Sequence, residues 1–243
     1  MITPKQIEEA TMSPEKRASA KNDFFGFYIG RPVTYALTVP FLYTNISPNT
    51  VTWISFIPVF LGLFLFWFGN STAAHFWGWF CFFMWSMLDG VDGNIARYKK
   101  QYSRMGDTLD AAAGYYAMAL IPLAGGIAAA HHPGVFANFI GLPVDTYIIL
   151  GALSALWIIL PRLTMHKAIN STGEKNIGGV KDRKKYSFSK IIALNLTSPP
   201  GAVQLLLLLS VFIKTYDIYT VGYFLVNTLV MIMSIRSIFK DKE

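Results

Sequence analysis

Long apolar runs recur along this chain, separated by short polar connections. A helix needs ~20 apolar residues to cross the hydrocarbon core of a bilayer. Six stretches reach that length, near residues 50–68, 74–98, 107–130, 145–165, 189–212 and 216–236. A further apolar stretch, 24–43, is interrupted by Arg31 and Pro32 and reads as an interfacial or partly inserted helix. Residues 3–20 are polar and mixed in sign, and predict a surface helix that starts near Pro4 or Pro14. The expected fold class is all-α integral membrane, with six transmembrane helices preceded by an N-terminal amphipathic or interfacial helix. No repeat or linker divides the chain, so 1–243 reads as a single membrane domain, with 1–43 as the N-terminal segment and 44–243 as the six-helix core.

Composition supports this reading. Charged residues make up 14% of the chain, against roughly 25% in a soluble domain, so much of the surface does not face water. The lone cysteine, Cys81, excludes a disulfide within the chain. The formal charge of +7 could suit nucleic acid or a membrane surface. The positive residues sit between apolar spans and not along one soluble face, so no nucleic-acid partner is expected. Their distribution is one-sided. Twenty of the 21 lysines and arginines fall before the first span, around the second and fourth connections, or at the C-terminus. Lysine and arginine mark the cytoplasmic side, which places both termini, the 97–105 turn and the 166–190 loop there.

The chemistry concentrates at that turn. Asp89, Asp92, Asp107 and Asp110 lie at the ends of two apolar spans. An ionised carboxylate at membrane depth costs several kcal/mol unless it is paired, hydrated or bound to a cation. Asp89 and Asp92 are three residues apart and share a helix face, as do Asp107 and Asp110. The short turn makes the two helices antiparallel neighbours that aim carboxylates at one point. Oxygen donors without His or Cys favour Mg²⁺, Mn²⁺ or Ca²⁺ over Zn²⁺. Gly90 and Gly93 cost the helix ~1 kcal/mol each relative to alanine, which points to a close approach to the backbone. Arg97 ends the stripe, placed to meet a phosphate. A cation transporter would put its acids near the midplane in several helices; here they gather at one membrane face.

Residues 89–110 read DGVDGNIARYKKQYSRMGDTLD. This resembles the CDP-alcohol phosphotransferase motif, D-x2-D-G-x2-A-R-x8-G-x3-D-x3-D, at Asp89, Asp92, Gly93, Ala96, Arg97, Gly106 and Asp110. Residues 31–55 are similar to the segment that leads into that family's first span, with a Pro-Asn-x-x-Thr element at Pro48, Asn49 and Thr52. The resemblance implies transfer of a phosphoalcohol from a CDP-linked donor, either CDP-diacylglycerol or a CDP-polar alcohol, to an acceptor hydroxyl. CMP is released, in phospholipid-type biosynthesis. It implies Asp89, Asp92 and Asp110 as ligands to one or two Mg²⁺ or Mn²⁺ ions. Gly93, Ala96 and Gly106 would admit the nucleotide, Arg97 would support the aspartates or a phosphate, and Asn49 and Thr52 would lie near the donor. A membrane lipid as substrate and a homodimer are likewise implied.

One position departs from the pattern. The last motif aspartate, implied as metal ligand and general base, would stand at 114, and the chain has Gly114. Asp107 is a candidate substitute that could bind metal: it shares the stripe of position 114 to within ~20° but lies ~10 Å away along the axis, so it would not occupy the same place. Three readings stay open: an acceptor that is already ionised, a base elsewhere such as Tyr115, Tyr116 or a residue of the 166–190 loop, or a relative that binds a CDP-compound without normal turnover. Arg162 and Lys167 are candidates for an acceptor site. The break at 195–201 (NLTSPPG) is expected either to aim helix N–H groups at a cavity or to be a packing kink.

Overall fold

The computed structural model describes residues 1–173 and 188–240. Among these, every regular element is helical. The polar N-terminus forms two short helices, α1 (Pro4–Thr11) and α2 (Pro14–Ala20), each with proline in its first turn. Thr3 and Gln6 form a reciprocal capping box on α1, and Ser13 caps α2. The 24–43 stretch becomes a π-helical turn, Gly26–Gly30, running into α3 (Arg31–Leu42). Pro32 lies in the first turn of α3, where its missing N–H costs nothing.

The core follows as α4 (Pro48–Phe68), α5 (Thr72–Lys99), α6 (Gly106–His131), the short α7 (Val135–Ile140) and α8 (Val144–Thr172). After it come α9 (Phe188–Thr197), a π-helical segment Pro199–Val203, α10 (Gln204–Ile213) and α11 (Tyr216–Lys240). Ser47 and Ser71 cap α4 and α5 by accepting from Thr50 N and Ala74 N. The lysine-rich connection after α5 begins with Lys100 in the left-handed conformation.

Four helices, α4, α6, α8 and α11, are each long and apolar enough to cross a membrane, and a fifth span forms if the two halves bent by 46° around Ser198 are counted together. Six were expected. The remaining one is α5, which has the length (28 residues) but carries tryptophans, His75 and the aspartate motif along it. The start of the expected 166–190 loop is helical, because α8 continues to Thr172 and carries His166 and Lys167 as well as Arg162. The lysines and arginine between 175 and 185 lie outside the described residues.

The packing order positions the site. Helix α4 packs along both α5 and α6, while α5 and α6 meet each other far less than adjacent antiparallel helices would. Small residues allow the tightest approaches, as expected where lipid supplies no hydrophobic drive. A Cβ on Gly126 would sit 2.4 Å from the Tyr147 carbonyl oxygen, and one on Gly151 would sit 2.6 Å from that of Pro122, which locks α6 to α8. The main core joins α4, α5, α6, α10 and α11 through Phe66, Phe82, Ala117, Ile121, Leu207 and Tyr216. A second apolar cluster joins Ile7 of α1 and Tyr35 and Leu42 of α3 to Val51, Val91 and Ile95. That second cluster sits behind the aspartate motif.

Candidate active site

Helical periodicity divides the end of α5 into two faces. Leu88, Val91, Ile95 and Tyr98 pack into the second apolar cluster. Asp89, Asp92, Gly93 and Arg97, offset by three or four residues, face the other way and line a cavity of about 540 Å³. Asp110 and Gly114 of α6 line it from across the gap, Lys16 and Arg31 from the N-terminal segment, and Arg162 and His166 from α8. Ser198, Pro199 and Pro200 at the bend of the broken span complete the wall.

The three aspartates are close enough to repel one another. Asp92 is 4% exposed, and its carboxylate accepts a 2.6 Å hydrogen bond from the Thr52 hydroxyl. Among the described residues no set of three or more carboxylates, imidazoles or thiols is drawn together at metal-binding distance. The donors nevertheless suit a hard divalent cation. They are oxygen-only, they line one cavity, and they leave mutual repulsion for a cation to remove.

Arg97 folds back along its own helix. A Cβ at position 93 would come within 3.0 Å of both terminal guanidinium nitrogens, so Gly93 is the seat of Arg97. The guanidinium donates to the Asn94 side-chain oxygen at 3.1 Å, and Asn94 donates to Thr38 at 3.2 Å. Gly90 admits Thr34 of α3, whose methyl carbon would be 2.6 Å from an added Cβ.

Several residues expected near the donor have roles in the frame. Asn49, Thr52, Ala96 and Gly106 do not line the cavity. Asn49 and Ser103 hydrogen-bond through their side chains at 3.0 Å and brace the α5–α6 turn. Gly106 leaves room for them, since an added Cβ would meet Ser103 Oγ at 2.9 Å. Thr52 acts on the site through Asp92. Asp107 is exposed and outside the cavity, and Lys167 is also outside it. Gly114 faces the cavity in open space, with Met118 Cε 3.9 Å from where a Cβ would stand.

The cavity also holds residues that the sequence did not single out. Lys16 is half-buried beside Arg31 and Arg97, and neither Lys16 nor Arg31 is paired with a carboxylate among the described residues. Burial first, and then the charges of Arg97 and Arg31, push the Lys16 ammonium down to about 8. Asp23 accepts from Ser198 Oγ at 3.0 Å and from Gly26 N at 3.1 Å, which ties the N-terminal segment to the broken span. Asn195 strengthens the tie by donating to the Asn22 carbonyl at 2.7 Å and accepting from Phe24 N at 2.8 Å. A short-range pattern does not reveal the tie, because Ser198 and Asn195 lie more than 150 residues from their partners Asp23, Asn22 and Phe24.

No curated protein matches the chain at a significant level. The family profile of CDP-alcohol phosphatidyltransferases matches residues 45–236, most of the chain and all of its motif. Taken with the motif-lined cavity in a bundle of apolar helices, that match shows that the chain belongs to the CDP-alcohol phosphatidyltransferase family, whose members transfer a phosphoalcohol from a CDP-alcohol in lipid synthesis.

Proposed function

We propose that this protein is a divalent-cation-dependent membrane transferase that moves a phosphoalcohol from a CDP-linked donor to an acceptor hydroxyl and releases CMP. The observation that carries the reading is the meeting of Asp89, Asp92, Asp110 and Arg97 on one cavity in a chain of this family. Asp89, Asp92 and Asp110 would hold one or two Mg²⁺ or Mn²⁺ ions. A bound cation supplies neutralisation of the donor diphosphate and of the charge that develops on CMP. Thr52 fixes the Asp92 carboxylate, and Arg97, seated on Gly93, presents its guanidinium to a phosphate. Lys16 and Arg31 add uncompensated positive charge on the same wall, which favours a polyanionic donor.

In this reading α5 crosses the membrane with the five other spans, and α1 to α3 lie at its interface. The one-sided lysines and arginines support a cytoplasmic active site and cytoplasmic termini. A homodimer is the assembly that accompanies the reading.

The test is CMP release from CDP-diacylglycerol and from CDP-linked polar alcohols by detergent-solubilised protein, with Mg²⁺ or with EDTA. Acceptor-dependent release that EDTA abolishes is expected. No release from any donor, by protein that still binds Mg²⁺, overturns the reading. Gly114 motivates a second reading, a relative that holds a CDP-compound without turnover. It replaces the first if the wild type is inert and Gly114→Asp releases CMP.

A further inference from the structure

Transfer to a hydroxyl leaves a proton to be placed. The acceptor O–H bond breaks, its oxygen bonds to phosphorus, and the phosphorus–oxygen bond to CMP breaks, with the electron pair leaving on CMP. The proton must reach a group in the cavity that can take it.

Most cavity groups are unsuited. Asp89, Asp92 and Asp110 are the ligands of the proposed cation site. Asp23 already accepts two hydrogen bonds, from Ser198 and Gly26. Arginine does not accept protons in proteins, which removes Arg31, Arg97 and Arg162. Lys16 lies beside Arg31 and Arg97, where a bound diphosphate would hold its proton in place. The Tyr35 hydroxyl is buried with no hydrogen-bond partner among the described residues to take a proton onward.

Tyr115 differs. Its hydroxyl lies 2.9 Å from His166 Nδ1, and the rings stand 6.2 Å apart at 54°. Both residues line the cavity, on α6 and α8, and Tyr115 directly follows Gly114. A phenol donates to a neutral imidazole nitrogen, which leaves the phenolic oxygen free to accept from another hydroxyl.

We infer that Tyr115 and His166 form a proton relay for the acceptor hydroxyl, an inference that rests on the transferase reading above. Tyr115 Oη accepts the acceptor's proton as its oxygen attacks phosphorus, and the tyrosine's own proton passes to His166 Nδ1, leaving an imidazolium. Tyr115 touches the substrate; His166 acts through it. Imidazole is the side chain suited to this uptake at neutral pH. Gly114 keeps the approach to Tyr115 open, where a larger residue would stand between the relay and the acceptor.

The test compares Tyr115→Phe, His166→Gln and the double variant by CMP release, with the donor KM measured alongside kcat. Gln retains a hydrogen-bonding group and cannot take the proton. Each single change is expected to lower kcat by ~10²-fold or more, the cost of losing general-base catalysis, with the donor KM within threefold of wild type. The double variant should be no slower than the slower single one. Adding Gly114→Asp to His166→Gln should restore kcat at least tenfold, because it puts a carboxylate into the same open space; a merely structural role for His166 would not be rescued this way. The relay is overturned if either single variant keeps kcat within threefold, if the two effects multiply, if donor KM rises in step with the loss, or if Gly114→Asp gives no rescue. A wild type that releases no CMP overturns the transferase reading and the relay with it. An active wild type with an unaffected His166→Gln overturns the relay alone.

Discussion

The two ends of the helix bundle both carry acids and imidazoles, and they treat them in opposite ways. At the end away from the motif, Asp217 is fully buried, and its carboxylate accepts from Ala137 N at 2.8 Å and Ile218 N at 2.9 Å. Gly134 closes over it, leaving no room for a Cβ, which would stand 2.5 Å from the carboxylate. His75, 2% exposed, has both ring nitrogens engaged, with the Tyr216 hydroxyl and with the Gly69 carbonyl, each at 2.8 Å. At the motif end, three aspartates share a cavity, and the side-chain bond on Asp92 comes from the Thr52 hydroxyl. A buried polar group that serves the fold is saturated, because an orphaned one costs ~1–3 kcal/mol. A polar group that serves a ligand keeps lone pairs open. The same residue type therefore has a different meaning at each end.

Exchanging the two acids breaks this comparison most sharply. Asp92→Asn should lower CMP release by ~10²–10³-fold, on the scale of losing one charge-stabilising group in a transition state, and leave the unfolding temperature nearly unchanged. Asp217→Ala should do the reverse. It should cost ~1–3 kcal/mol for each of the two orphaned N–H groups, read as earlier thermal unfolding in detergent, while the folded fraction keeps its turnover. Equal activity losses from both would erase the distinction between the ends.

A smaller effect is expected at the bond that joins Thr52 of the frame to Asp92. Thr52→Val removes the 2.6 Å hydrogen bond to Asp92 and leaves the second apolar cluster intact. CMP release should fall by roughly tenfold, the equivalent of ~1.4 kcal/mol for a hydrogen bond to a charged group, with a raised Mg²⁺ requirement in a metal titration.

The smallest effect concerns Lys16. Its proton leaves the native state at about 8, against 10.5 as the ordinary value. The unfolded chain therefore binds more protons across that window, and stability rises with pH there. The cost of the crowded charge is fully present below about 8. Lys16→Gln should be more stable than wild type at pH 7, and the difference should shrink as pH rises through the window. The same variant should bind CDP more weakly. Wild-type CDP binding near pH 8 should take up protons, seen as a binding enthalpy that changes with the buffer's ionisation heat. No buffer dependence would separate Lys16 from the ligand.

Much of this molecule is written in local sequence. The apolar runs become α4 to α6, α8 and α11, with starts within a few residues of those expected and with α8 running on to Thr172, because burying a backbone in lipid leaves the helix as the element that satisfies its own hydrogen bonds. The i, i+3, i+4 spacing of Asp89, Asp92, Gly93 and Arg97 fixes a shared face whatever packs against it. Pro4, Pro14 and Pro32 mark helix starts because their fixed φ suits the first turn.

Other features needed distant partners. That α4 packs along both motif helices, that Lys16 and Arg31 reach the cavity, that Asp23 meets Ser198, and that Tyr115 meets His166 all depend on how helices far apart in sequence pack together. Gly93 and Gly106 also make room for Arg97 and Ser103, a packing role that only the structure reveals. The sequence by itself determined that this is a membrane-bound helical protein with an aspartate motif at one end, since hydropathy and helical periodicity act over a few turns. Only the tertiary structure decided which charges surround that motif and which group stands beside Gly114, since those contacts join residues tens to more than a hundred positions apart.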